Sequence, residues 1–445
     1  MTSLHSKPLA LKNVTVTDSF WRTEQELVRT AVIPYQWNAL NDNVPGAAPS
    51  YCMHNFKAAA AQNKRKDTQG KAFVPPKYTF RGFEALPEDP ANPDPDKFYG
   101  FVFQDTDFSK WVEAVGYSLA HYPDPALEQT ADQAIDVVCA AQLDNGYLDT
   151  CYILNDMDRA FTNLRDHHEL YCLGHLVEGA VAYYQGTGKD KLLKAACRFA
   201  DYVDERFGRK PGQLRGYPGH EIAEMALVRL YEVTGEQRYL DLAEYFVTER
   251  GRQPYIFDIQ ADENAKRDAD ANYKPNTDPN RYAYHQANKP ATEQDEAVGH
   301  AVRAGYFYSG LADVARLTDD QEQQVEVADA QVDIGDIAGI AYLCLLHQRY
   351  GLLRPFQDRI VGFRCRSAGL VRLLGIERGV EHHTQFVVVV GLSVEHVGLL
   401  EVLHQVVVEI RPSNQTHRPV LFQLFVVAYG RHGEVVQQFV RCGDV

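Results

Sequence analysis

Apolar positions recur at helical spacing over most of the first 318 residues, and from Asp107 onward they do so almost without a break. Spacings of three and four residues put such positions on one side of a helix. They predict helices over 107–122, 125–143, 168–185, 190–207, 220–233, 237–249 and 300–317. Asp107 suits an N-cap, Pro123 a stop and Pro125 a first-turn position. Upstream, the alternation around Val14 and Val16 predicts a short strand or extended lead-in. Residues 23–40 read as a helix that Pro34, lacking an N–H, must kink or interrupt. Residues 41–100 read as mostly irregular, because Pro75-Pro76 and the run from Glu88 to Asp96 break regular structure; a long surface loop is expected. The polar stretch 253–295 reads as a long excursion over one mouth of the domain.

An internal repeat organises these helices. The segment from Ala182 to Gly188 ends a helix at Thr-Gly, and the segment from Arg229 to Gly235 does the same about 47 residues later. In each, glycine permits a left-handed cap and an outer helix follows within a few residues. Repeated helical hairpins close most naturally into a toroid, so the expected class is mainly α, an (α/α)6-barrel.

Overlaying the repeats puts His168, His220 and His300 at or near the start of the first helix of successive hairpins. Equivalent repeat positions meet at one end of a barrel, so the three imidazoles are expected to face one cavity. Such groups donate and accept hydrogen bonds to hydroxyls or shuttle protons, and a helix N-terminus favours the neutral ring. Taken singly, each histidine is as readily a cap or surface residue. Gln104, Asp105 and Asp107 open one helix and Asp149 follows another, with Trp111 and Tyr147 nearby; Glu169 and Glu221 each follow a histidine. Paired carboxyl groups are what glycoside cleavage needs, although Asp105 and Asp107 serve equally well as helix caps. A zinc site made of the three histidines is disfavoured, because repeat geometry would hold them too far apart.

Composition narrows the function. Hydrophobic residues make up 45% of the 445-residue chain, enough for a sizeable core. The net charge of −15 argues against nucleic acid or an anionic membrane as partner and suits a neutral substrate. No signal peptide or transmembrane run is read. The eight cysteines form no CxxC pair, and Cys139, Cys172 and Cys197 sit in apolar helical patterns, so a cytoplasmic protein with buried thiols is expected. A homodimer is compatible with the sequence.

Asp18-Ser-Phe-Trp21, Val32-Ile-Pro-Tyr-Gln-Trp37, Val102-Phe-Gln-Asp105, Asn145-Gly-Tyr-Leu-Asp-Thr150, His168-Glu169-Leu-Tyr171, Gly219-His220 and Gly299-His-Ala-Val-Arg303, in this order, resemble the non-reducing-end β-L-arabinofuranosidases of glycoside hydrolase family 127. The resemblance covers residues 8–318. It implies an (α/α)6-barrel followed by β-sandwich modules, and retaining hydrolysis of terminal β-L-arabinofuranosides. It also implies a sugar pocket containing His168, His220 and His300, a zinc-bound cysteine nucleophile and a glutamate acid/base. The last two groups, and the zinc ligands, belong in that family to a segment after the third histidine helix. Residues 319–445 do not supply it: Cys344, Cys365 and Cys442 are far apart, so no nucleophile, acid/base or metal ligand is assigned and no cofactor is identified.

The composition shifts near Asp320. Residues 321–445 contain no Lys, Met or Trp and a single Asn, Asn414, while Val, Gln, His and Arg are plentiful. The barrel is therefore expected to be incomplete, with an anomalous Val-rich C-terminal segment at 319–445. That segment reads as a frameshifted or mis-joined frame in preference to a divergent β-rich domain. Val387 to Val390 and Val406 to Val408 read as strands by propensity. Three functions follow: an arabinofuranosidase-type hydrolase lacking its catalytic half, a helical-barrel epimerase using histidine as acid and base, or a non-catalytic sugar-binding protein.

Overall fold

The computed structural model describes residues 9–77, 82–268, 277–294 and 296–318, with the backbone of five further strands between 372 and 441. Two compact units are present, one formed by 1–293 with 310–319 and the other by 294–309 with 320–445.

The first unit is helical. Helix α1 (Ser19–Leu27) starts where the Asp18 carboxylate accepts the Trp21 N–H at 2.8 Å. It passes through one wide π turn, Val28–Val32, into α2 (Ile33–Leu40), whose first turn carries Pro34. The missing proline donor is thus absorbed by the wider turn, and no sharp break occurs. No strand forms at Val14 to Val16; a 3₁₀ turn, Leu11–Asn13, precedes an extended stretch.

The irregular reading of residues 41–100 is corrected by α3 (Cys52–Gln69), an 18-residue helix that buries Cys52, Met53, Phe56, Ala58 and Ala59. Apart from Met53 and Phe56 its buried face is built from alanines and small or polar residues, so its periodicity is weak in sequence, yet small side chains suit close helix packing. The remainder of that stretch does hold short pieces, with β1 (Glu84–Ala85) antiparallel to β2 (Gly100–Phe101). Likewise 253–295 is not all excursion, because α11 (Ile256–Asp268) lies within it.

The hairpins follow as expected. Helices α4 (Asp105–His121) and α5 (Pro125–Ala141) are joined at Asp124, which caps α5 by accepting from Ala126 and Leu127. After the short α6 (Thr150–Asn155) come α7 (Glu169–Thr187) and α8 (Lys191–Arg206), then α9 (Ala223–Thr234) and α10 (Gln237–Glu249). Gly188 and Gly235 take φ of +79° and +75° at the two Thr-Gly turns, the left-handed caps the repeat predicts.

Helix α7 is the central wall. It packs on α4, α8 and α9, and residues 169–183 are buried on every face. Glycines allow the tight approach to α4: a Cβ at Gly116 would stand 2.5 Å from the Ala182 backbone, and one at Gly186 would stand 2.2 Å from the Gly116 carbonyl oxygen. This succession of inner and outer helices is that of an α/α-barrel.

Helix α12 (Ala301–Leu317) runs from the second unit into the first. In the second unit, β3 (Arg372–Val380), β4 (His383–Leu392), β5 (Val402–Ile410), β6 (Phe422–Tyr429) and β7 (Val435–Arg441) form one antiparallel sheet in chain order. Val387 pairs with Val407 in its centre, so both Val-rich runs lie on strands, as their propensity predicts. Among the described residues no helix is long and apolar enough to cross a membrane.

Candidate functional site

His168 is the N-cap of α7, and His220 stands three residues ahead of α9. The segments carrying them touch through backbone. Gly219 lies against Leu164 and Arg165, and a Cβ there would stand 1.9 Å from the Leu164 carbonyl oxygen. Only glycine permits that approach, which sets the two imidazoles 5.4 Å apart, centroid to centroid.

Backbone carbonyls orient both rings. His168 Nδ1 lies 2.8 Å from the Asp166 oxygen, and His220 Nδ1 lies 3.0 Å from the Glu221 oxygen. A carbonyl only accepts, so Nδ1 carries the proton in each ring. In the neutral tautomer Nε2 is then the accepting nitrogen of each ring.

Tyr171 completes the pair. Its ring stands 4.2 Å from His220, 5.5 Å from His168 and 4.4 Å from the buried His175. The Lys110 ammonium lies 5.2 Å above it. Sequence reasoning passed over Tyr171 and His175 as site residues, although 168, 171 and 175 form an i, i+3, i+7 stripe on one helix face. That spacing was the available signal.

The ground under His168 is acidic and nearly sealed. Asp105 accepts the Thr150 N–H at 2.7 Å and the Thr150 hydroxyl as well. Asp149 caps α6, with Tyr152 N at 3.4 Å, and meets the Cys172 thiol. Glu169 accepts Tyr147 Oη at 2.6 Å and Phe161 N at 2.8 Å. Burial raises the Asp105 carboxyl to about 6 and that of Glu169 to about 8. Asp149 is pushed well up by burial and by its acidic neighbours Asp105 and Glu169. Gln104 is committed locally, donating to Asp107 at 2.7 Å and accepting the Phe101 N–H at 3.1 Å.

The ground under His220 is a fully buried ion triad. Arg250 meets Glu221 and Glu224, each at 2.9 Å, and all three side chains are wholly inaccessible. Arg250 also donates to the Pro218 carbonyl at 2.6 Å and covers the Tyr217 ring at 4.9 Å. Glu224 in turn accepts the Ile222 N–H at 3.2 Å. Ile222 has φ of +151°, which a β-branched residue rarely adopts. The triad therefore grips the backbone on both sides of His220 and sustains that strain.

His300 immediately precedes α12 and belongs to the second unit. Burial and the neighbouring Arg303 hold its imidazole below the ordinary value, so the neutral ring is favoured. The neutral state matches the expectation, although the cause is burial and a nearby cation rather than a helix end.

Metal ligation has no donor set here. Among the described residues no group of three or more His, Cys, Asp or Glu side chains is placed to hold an ion. Burial raises the thiols of Cys52, Cys151 and Cys172 well above their ordinary range, which opposes the thiolate that zinc requires. Cys344, Cys365 and Cys442 lie outside the described residues. The zinc implied by resemblance therefore does not fit these described side chains, and no step is routed through it.

The sequence model of the β-L-arabinofuranosidase catalytic domain of glycoside hydrolase family 127 matches residues 13–329. The chain belongs to that family. It is 38% identical over 317 residues to a non-reducing end β-L-arabinofuranosidase of Bifidobacterium longum subsp. longum, covering 69% of this chain and 44% of that protein. The chain thus spans less than half the length of this curated relative. The crystal structure of a family 127 β-L-arabinofuranosidase from Geobacillus stearothermophilus T6 is similar with a TM-score of 0.63 at 26% identity, over 97% of this chain and 80% of that one. A second family 127 β-arabinofuranosidase structure gives 0.55 at 35% identity, over 72% and 42%.

Proposed function

We propose that the chain is a glycoside hydrolase of the β-L-arabinofuranosidase type whose described part recognises the terminal sugar, while hydrolysis itself is lost. The observation that carries this reading is the close pair His168 and His220, each with Nδ1 on a backbone carbonyl, set in a chain of this family. Two imidazoles 5.4 Å apart, centroid to centroid, with the Tyr171 ring beside them suit the hydroxyls and C–H face of an uncharged sugar. Gln104, Asp105 and Asp149 are assigned to the polar support of that pair. A small carbohydrate is the partner. Loss of turnover is inferred because residues 319–445 carry no close group of cysteines where the resemblance places the nucleophile, the acid/base and the zinc ligands. The family match is to hydrolases and lends nothing to an epimerase.

Calorimetric titration with methyl β-L-arabinofuranoside tests recognition. Binding is expected, and H168A and H220A should each weaken it about tenfold, the worth of one lost hydrogen bond to a buried partner. A folded wild-type chain that ignores the glycoside defeats the reading. Release of nitrophenol from the 4-nitrophenyl glycoside checks catalysis: brisk turnover by this chain would show that the catalytic groups are present after all.

A further inference from the structure

Away from the histidines, the row of inner helices has an open flank. Among the described residues α7 lies between α4 and α9, whereas α2 packs on α4 alone of these helices. Helix α1, which continues into α2, buries none of its nine residues. Phe20, Leu27 and Ala31 fall at i, i+7 and i+11, so they share one side of the helix, and Tyr35 follows one turn later. Phe20, Leu27 and Tyr35 are 44%, 51% and 59% exposed. Trp21, 39% exposed, stands edge-on to Phe20 at 5.1 Å.

This flank is held from behind. Trp37 of α2 stacks on Trp111 of α4 at 4.5 Å, and Trp111 Nε1 donates to the Ile33 carbonyl at 3.1 Å. Arg29, paired with Glu26 at 2.7 Å, lies 5.4 Å over the Tyr122 ring. A surface fixed in this way binds without the cost of further ordering. Its charge is also balanced. Residues 9–40 carry Lys12, Arg22 and Arg29 against Asp18, Glu24 and Glu26, a net of zero in a chain of net −15. A second copy can approach here without the repulsion that the chain's overall charge imposes. The four exposed side chains leave on the order of 400 Å² open, about half of the roughly 800 Å² that each partner gives to a stable interface, in line with the apolar share of such interfaces.

We propose that the flank formed by Phe20, Leu27 and Tyr35 is the contact surface of a homodimer, in which the α1 helices of two copies lie antiparallel about a two-fold axis. The residue pattern is self-complementary in that arrangement. With the axis between Thr23 and Glu24, Phe20 of one copy opposes Leu27 of the other, and the reverse contact follows by symmetry. Thr23, at the midpoint, has already given its hydroxyl to the Ser19 carbonyl at 2.8 Å and brings no unmet donor to the seam. Each copy thereby covers the apolar side of the other's α1. The contact uses the same patch on both copies, so it closes at two and builds no filament.

Analytical ultracentrifugation of the full chain and of the variants F20E and L27R tests this. Wild type should sediment at twice its 50.2 kDa chain mass at micromolar concentration. Each variant alone should dimerise at least about tenfold more weakly, because both symmetric contacts then set a charge against an apolar side chain. An equimolar mixture of the two should recover the dimer. In the mixed pair one contact keeps Phe20 against Leu27 and the other sets the new carboxylate against the new guanidinium. Both positions are largely exposed, so far-UV circular dichroism of each variant should match wild type, and recovery in the mixture shows independently that both are folded. A wild-type monomer, or a dimer that F20E and L27R leave unchanged, overturns the proposal. So does a mixture that stays monomeric, since the antiparallel register requires recovery. Hydrogen exchange identifies the rival occupant: a wild-type monomer with residues 19–27 protected would assign this flank to another segment of the same chain.

Discussion

His168 and His220 are near neighbours held by backbone carbonyls in the same way, yet the polar layers beneath them solve burial by opposite means. Under His220, charge is kept and paired: one guanidinium faces two carboxylates with no water in reach. Under His168, charge is disfavoured: burial raises the carboxyl of Asp105 to about 6, that of Glu169 to about 8, and that of Asp149 well above its ordinary range. Both answers avoid a naked buried charge. They differ in what they respond to, since an Arg keeps its proton at any accessible pH whereas a raised carboxyl titrates close to neutrality.

The strongest way to break that contrast is R250M. Methionine fills similar space but leaves Glu221 and Glu224 buried without their counter-ion, a change of about 3–5 kcal/mol. It also frees the Pro218 carbonyl and loosens Glu224, which accepts the N–H of the strained Ile222. Chemical unfolding should show a loss on that scale. A loss under about 1 kcal/mol would mean that the triad contributes little and that His220 is held by other contacts.

Next in size is G219A, which acts on the seam between the two layers. The added methyl meets the Leu164 and Arg165 backbone at 1.9 and 2.6 Å, so one loop must move. Overpacking of this kind costs about 1–3 kcal/mol. It should also spread the histidines and weaken methyl β-L-arabinofuranoside binding beyond what the stability loss explains. Undiminished binding by G219A would show that the 5.4 Å spacing is not what recognises the sugar.

Much of this architecture was legible in the chain, and the misses have physical causes. The Thr-Gly caps at 188 and 235 declared the hairpins, because a left-handed glycine is a local requirement. The register of His168 and His220 declared that these two would be neighbours, because a repeat converts sequence register into spatial register. Helix α3 was hidden because alanines rather than leucines face its neighbours, so hydrophobic contrast was low while packing was tight. The ion triad was hidden for a different reason. Glu221 and Glu224 read as an ordinary polar helix start, and nothing in their local sequence points to Arg250 across a hairpin. Tertiary pairing of charges leaves no periodic trace. Tyr171 was missed although its register with His168 was visible, since an aromatic at that spacing is as readily a core residue.

The finest distinction between the two layers is their pH response, and E169Q isolates it. In the unfolded chain Glu169 ionises near 4.5, whereas burial holds it protonated in the fold up to about 8. Between those values the folded state binds the extra proton, so stability is complete below pH 4.5 and declines as pH rises toward 8. One such group gives a slope of up to about 1.4 kcal/mol per pH unit. Asp105, raised to about 6, adds to the decline only in its lower part. Glutamine cannot ionise, and its amide still offers an oxygen to the Phe161 N–H and a donor to the Tyr147 oxygen. E169Q should therefore make the decline shallower, most plainly between pH 6 and 8, while the contributions of Asp105 below about 6 and of the raised Asp149 stay in place. A wild-type profile that is level from pH 5 to 8 would mean that these carboxyls ionise inside the fold with a compensating partner, and the contrast between a paired layer and a protonated layer would collapse.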